Sequence, residues 1–210
     1  MSSTKWIQRS GFLAMLGGAL WTATWILVAF TADGTRDVLG FSERGWRTLL
    51  LNPAMIFFMA GLSGFHAKQA RRSGTLGKTG SVICLLGLGT MLLGNIIEFW
   101  VSELFYGTQK PGWAMMGVGF MILAVGLLLF GVGTRRAKVL SGWRRAVPLS
   151  FGLVLASLIL IEIAATLLTG SRLQEGLLGA MLLNIAIGWA VLGYALCSEK
   201  DEGSGETPAR

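Results

Sequence analysis

Six stretches of this chain run free of charged side chains for long enough to cross a lipid bilayer. They are Ser10 to Ala32, Thr48 to Phe65, Thr79 to Ile97, Pro111 to Thr134, Ala146 to Ser171 and Gly176 to Ser198, the fifth broken only by Glu162. About 20 apolar residues in a helix cover the roughly 30 Å of bilayer hydrocarbon, and each run reaches that length to within a turn. The apolar positions are continuous, without the alternating ten-residue segments of an outer-membrane barrel, so the backbone must satisfy its own hydrogen bonds as helices. The pattern predicts an all-α, polytopic membrane helix bundle. Its six transmembrane helices fall over about 10–32, 48–66, 79–102, 111–134, 146–170 and 176–198, making one domain over 1–198. The first run is too long for the apolar core of a secretory signal and ends without a small-x-small cleavage site, so it reads as a retained span. Residues 199–210 are Gly/Ser-rich and acidic with almost nothing to bury, and are expected to be a disordered cytoplasmic tail.

Composition agrees. The 210 residues are 53% hydrophobic and 14% charged, with a mean hydropathy of +0.62. That leaves too little polar surface to coat a water-soluble particle, and the lipid bilayer is the expected principal partner. The net charge of +7 does not form a nucleic-acid surface, because the basic residues sit in short clusters between the apolar runs. Lys5 and Arg9 precede the first run. Lys68, Arg71, Arg72 and Lys78 lie between the second and third, Arg135, Arg136, Lys138, Arg144 and Arg145 between the fourth and fifth, and Lys200 and Arg210 in the tail. These are 13 of the 18 basic residues, and they fall on one side of the membrane; Arg36, Arg44, Arg47, Lys110 and Arg172 fall on the other. The positive-inside rule makes both termini cytoplasmic.

Ser42-Glu43 ahead of Trp46 predicts a short interfacial helix feeding the second span, and Asn52-Pro53 has the form of an N-cap followed by proline in the first turn. Trp6, Trp46, Trp100, Trp113 and Trp143 stand at span ends, where indoles anchor at headgroup level. Trp21, Trp25 and Trp189 lie inside spans and are expected to pack there. Small residues four apart (Ala14 and Gly18, Ala60 and Gly64, Gly176 and Ala180) and the glycines of the fourth span let helices approach closely. Such Gly/Ala faces serve either packing within the chain or a homo-oligomer or partner seam. The second-to-third hairpin superposes on the fourth-to-fifth with an offset of 64 to 65 residues, placing Ile97-Glu98 on Ile161-Glu162 and suggesting a parallel duplication.

Ionisable groups inside spans are the natural candidates for function, because a charge at mid-bilayer costs about 2.5–3.5 kcal/mol on insertion scales. Glu162 is the foremost. Counting outward from a loop centred near residue 173 sets Asn184 at the same depth and makes a hydrogen bond between them geometrically reasonable. Glu98, with Asn95 one turn before it, lies nearer the outer interface, and Asn52 lies in the same outer half. A small polar cavity built from Asn52, Asn95, Glu98, Glu162 and Asn184 would suit a cation, a proton or a polar headgroup; the bland alternative is that Glu98 snorkels and Glu162 is a protonated carboxyl bonded across helices. His66 is the only histidine and Cys84 and Cys197 the only cysteines, too few for a multi-histidine or cysteine metal set. No nucleophile elbow, phosphate-binding loop or lysine within a span is present. No catalytic residue, metal or cofactor is expected, and the chain reads as no enzyme.

Two inner-loop stretches carry a resemblance. Arg136-Ala-Lys-Val-Leu-Ser-Gly-Trp143 after Leu127-Leu-Leu-Phe-Gly131, and Gly64-Phe-His-Ala-Lys-Gln-Ala-Arg71 with Gly74 to Gly77, resemble the inner loops of bacterial six-helix integral membrane proteins of unknown function. Those chains often have proline where Ser141 stands here. The resemblance implies a bacterial inner-membrane location and brings no activity or functional residues with it. The expected function is that of a multi-pass, non-enzymatic interaction or accessory subunit. The alternative is a small transporter or sensor with an outward-facing polar site around Glu162, Asn184 and Glu98.

Overall fold

The computed structural model describes residues 3–31, 38–69, 72, 74–101, 111–138, 140–169 and 175–198. Apart from one isolated antiparallel bridge between Val38 and Phe41 and a few turn residues, these are helical, and six helices are long and apolar enough to cross a membrane. The first span is Ser3–Thr31. The second is Asn52–Gln69, entered without a break through a helical turn, Glu43–Trp46, and a π-helical turn, Arg47–Leu51. The third is Gly74–Ile96, continued by a second π turn, Ile97–Val101. The fourth is Pro111–Ala137, the fifth is Val147–Thr169 after a 3₁₀ turn at Gly142–Ala146, and the sixth is Glu175–Cys197. The predicted tail over 199–210 lies outside the described residues. With six crossings, the first and last helices start and finish at one end of the bundle, called here the termini end; the opposite end is the far end.

Two expectations about the second span meet different outcomes. The short leading helix forms, with the Ser42 carbonyl accepting the Trp46 N–H at 3.1 Å and the Ser42 hydroxyl accepting the Gly45 N–H at 3.4 Å. Asn52, however, is not an N-cap: its φ of −64° and ψ of −50° are helical. The helix is already running when it reaches Asn52, so Pro53 lies inside it. Proline has no N–H to give to the Leu49 carbonyl, and its ring presses on that group. The π turn immediately before Pro53 widens the helix where this conflict falls.

Each span packs on its neighbours in the chain and the sixth closes back onto the first. An aromatic column fills the centre. Phe58 stacks on Trp189 at 4.6 Å and 10°, Trp21 meets Phe58 at 5.9 Å and Phe120 at 6.3 Å, and Phe151 sits edge-on to Trp189 at 5.9 Å. Trp21 and Trp189 are buried core residues, as expected from their mid-span positions, and the Trp21 indole also donates to the Leu182 carbonyl at 3.1 Å. Among the span-end tryptophans, Trp6, Trp100, Trp113 and Trp143 are exposed, whereas Trp46 is buried against Phe41.

The most intimate contact joins the third and fourth spans, and its register is written in glycine. Gly80, Gly87 and Gly94 recur every seven residues on one helix, and Gly112, Gly119, Gly126 and Gly133 every seven on the other. Seven residues are two turns of a helix pair wound left-handed about each other. A Cβ built on Gly87 would lie 2.6 Å from the Leu123 nitrogen, and one on Gly126 would lie 2.6 Å from that of Cys84. Only hydrogens fit between these backbones. The first span uses its small residues in the same way on two sides: Gly18 lies against the Ala186 carbonyl of the sixth span, while Ala14 lies against Gly61 of the second. Gly64 lies against Ser10, so Ala14, Gly18 and Gly64, considered above for a partner seam, are engaged within the chain.

Candidate functional site

The five polar residues singled out in the sequence divide into two places. Asn52, Asn95 and Glu98 come together at the far end of the second and third spans. Asn95 is wholly buried, and its Nδ2 donates to the Asn52 Oδ1 at 2.7 Å. Glu98 is 5% exposed and lies in the π turn one helical turn further along. Its Oε2 accepts the backbone N–H of Trp113 at 3.2 Å. That amide is one of the first four of the fourth span, which have no carbonyl partner within their own helix. Glu98 thus caps the fourth span from the third, with its carboxylate at the positive end of the helix dipole. The approach is close because residue 112 is glycine: a Cβ there would lie 2.6 Å from the Glu98 nitrogen.

Arg47 completes this cluster. Its position one residue ahead of Thr48 puts it in a loop on any count by uncharged runs, yet it is 6% exposed. The π turn Arg47–Leu51 carries it into the bundle. Its guanidinium lies 4.6 Å from the ring of Trp25, 4.9 Å from Trp113 and 5.5 Å from Phe99, so rings from the first, third and fourth spans surround one cation. Each such contact is worth about 0.5–2 kcal/mol, most when desolvated. Cation and anion meet on Trp113, Arg47 at its indole and Glu98 at its amide, and both come from π turns, which are common where helices bear function. Trp25, expected to pack within its span, does so as one wall of this box. The signal that could have pointed to Arg47 is the pair Trp25 and Trp113, aromatic residues near the far ends of the first and fourth spans.

Glu162 and Asn184 lie elsewhere and do not bond to each other. The Asn184 Nδ2 is buried and has no hydrogen-bond partner among the described residues. Register explains the difference. Phe151 packs directly on Gly188, and counting equally along the antiparallel helices from that contact brings Asn184 level with Leu155. Glu162 is seven residues further, about 10 Å at 1.5 Å per residue, level with the start of the sixth span.

The fifth span is also the least covered. Only 17% of its apolar window is buried, against 33% to 44% for the other five. At the termini end it is close to the fourth span, where Gly131 meets the Leu149 backbone, whereas Gly117, four turns along the same side, has no atom within 4 Å of its Cβ position. The fifth span therefore leans away from the fourth toward the far end. Leu160, Leu167 and Leu168 are 65%, 80% and 85% exposed there, and Glu162 is half-buried among them with no hydrogen bond or ion pair among the described residues. Glu98 and Glu162, superposed by the internal offset, end in opposite surroundings: one enclosed in a π turn, the other half-open in regular helix.

Comparison with protein-family models, with curated proteins and with solved structures finds no match to this chain.

Proposed function

We propose that this chain is a multi-pass protein of a bacterial inner membrane, with both termini cytoplasmic, that works without enzymatic chemistry by binding another membrane-embedded segment through its fifth span. The bacterial location follows from the inner-loop resemblance. The orientation follows from the basic residues, and the burial of Arg47 within the bundle removes one of the five that counted against it. In a background of Cys84→Ser and Cys197→Ser, a cysteine replacing Ser73 is expected to resist a membrane-impermeant thiol reagent in intact cells and one replacing Thr108 to react. The reverse labelling would overturn the orientation.

Glu162 is the observation that carries the interaction reading. A carboxyl group within an apolar span is costly unless it finds a donor, and this one stands on the least covered helix of the bundle. A hydrogen bond across a helix pair contributes about 0.6–2 kcal/mol in a membrane, which makes Glu162 a determinant of partner choice on an otherwise apolar face. A photo-crosslinking residue at Leu167 is expected to yield a discrete protein adduct in native membranes that is lost in Glu162→Leu. The same residue at Leu86, which is 61% exposed on the third span, should yield lipid adducts only. Equal protein adducts from both positions, or none from Leu167, would refute the reading. The alternative, a transporter or sensor, is favoured by the buried Asn184 Nδ2 and Asn95 Oδ1, neither of which has a hydrogen-bond partner among the described residues; the Asn95 Nδ2 and Glu98 are already engaged with Asn52 and Trp113.

A further inference from the structure

We propose that the termini end of the third, fourth and fifth spans is a binding site for the phosphate headgroup of an anionic phospholipid. The glycine contacts place the charges. Gly133 lies against Gly77, and Gly131 lies against Leu149. Counting outward from the second contact sets Arg135 opposite Arg145 and Arg136 opposite Arg144 across the seam of the fourth and fifth spans. Counting from the first sets Lys78 within about a turn of Arg135. Lys78, Arg135, Arg136 and Arg145 are all exposed.

No acidic residue stands anywhere from Arg44 to Ile97 or from Leu104 to Ile161. Toward this end the third, fourth and fifth spans and the loops beside them therefore contain no acidic residue; Glu98 and Glu162 stand toward the far end. Cations gathered at this spacing repel one another, and an anion lying between them relieves that repulsion. Membrane orientation accounts for the sign of these residues; the glycine contacts set Arg135 and Arg136 level with Arg145 and Arg144 across the seam of the fourth and fifth spans, with Lys78 at similar depth on the other side of the fourth span.

A second observation makes that anion a lipid. Trp143, 55% exposed, stacks on Tyr194 of the sixth span at 6.3 Å and 15°. An exposed indole and phenol at a span end sit at headgroup level, with acyl chains beside them. Arg144 and Arg145 follow Trp143 directly, so the phosphate and the chains of one lipid can be met together. Basic clusters beside membrane spans attract anionic headgroups by about fivefold in affinity per charge.

The test uses the full chain purified in detergent and offered equal amounts of phosphatidylglycerol and phosphatidylcholine, with retained lipid counted by native mass spectrometry. Phosphatidylglycerol should be retained in at least about fivefold excess, and Arg135→Gln with Arg145→Gln should abolish the preference at an unchanged melting temperature, while the two Arg→Lys replacements keep it. Inorganic phosphate should not displace the lipid. Equal retention of the two lipids would overturn the proposal. So would a preference that survives the Gln replacements, or displacement by inorganic phosphate, which would mark a simple anion site. If the Gln variant fails to fold, the comparison of the two lipids on the unaltered chain still decides.

Discussion

Arg47→Leu is expected to destabilise the purified protein by about 3–5 kcal/mol, the range seen when one member of a buried charged cluster is removed. The substitution keeps an apolar side chain of reasonable volume, so the loss comes from chemistry rather than from a cavity. Three aromatic rings lose their cation, and the carboxylate of Glu98, 5% exposed, is left buried with one positive neighbour fewer. Arg47→Lys should recover only part of the loss, because an ammonium cannot stack flat on several rings. Arg47→Leu combined with Glu98→Gln should cost less than the two single changes together, since the second removes the charge that the first leaves uncompensated. Reversible unfolding of the four proteins in mixed detergent micelles measures this. A loss for Arg47→Leu no greater than for Arg72→Leu, at an exposed position, would show that the cluster contributes nothing.

Gly87→Ala and Gly126→Ala are each expected to cost about 1–3 kcal/mol, the usual penalty for overpacking a filled interior, and the leucine replacements should prevent the folded bundle from accumulating. The obstacle in both cases is main chain: a Cβ on Gly87 meets the Leu123 nitrogen and the Gly119 carbonyl, and one on Gly126 meets the Cys84 nitrogen. Backbone cannot rotate aside, so the two helices must separate along the whole seam. Gly117→Ala and Gly179→Ala are the contrasting cases. Neither has an atom within 4 Å of the new Cβ, and alanine is favoured over glycine within a helix by about 0.5–1 kcal/mol. These two should melt no lower than the parent. A melting series in which all four alanine variants fall together would contradict the seam.

The six spans are legible in the sequence because the bilayer imposes one length on every crossing, and absence of charge over that length is hard to reach by other routes. Their ends are less legible. Rules for helix starts assume that the chain meets water there, but Asn52-Pro53 sits where a neighbouring helix continues to cover the chain, so the helix runs through the proline and distorts instead of beginning. The small residues announce close packing, yet reading them four apart suggests a single face. In the fold Ala14 and Gly18 serve two different neighbours, and the spacing that matters is seven. Of the site, Asn52, Asn95 and Glu98 stand out as polar groups in apolar runs and do converge. Arg47 is hidden because a charge bordering a span is assigned to the loop by default, and only a π turn brings it inside. The pairing of Glu162 with Asn184 fails for a different reason: equal depth assumes two helices in step, whereas the contact of Phe151 with Gly188 sets them about two turns apart.

The two π turns also divide the bundle into frames. A π turn holds one residue more than the α-helical turn it replaces, and one residue is a rotation of about 100° about the axis. In the third span the glycine repeat of Gly80, Gly87 and Gly94 would next reach Val101, but the π turn Ile97–Val101 intervenes. The helix beyond Ile96 is thereby turned out of phase with the helix below it. In the second span the same slip separates Arg47 from the face that carries Phe58. Glycine and aromatic contacts keep one phase through most of the bundle, charged groups keep another at the far end, and a single extra residue in each helix joins them. Deleting one residue from either turn would restore a regular helix, leave the glycine frame in place and swing the charged group out toward lipid. Changes of chain length that the loops can absorb are intolerable there.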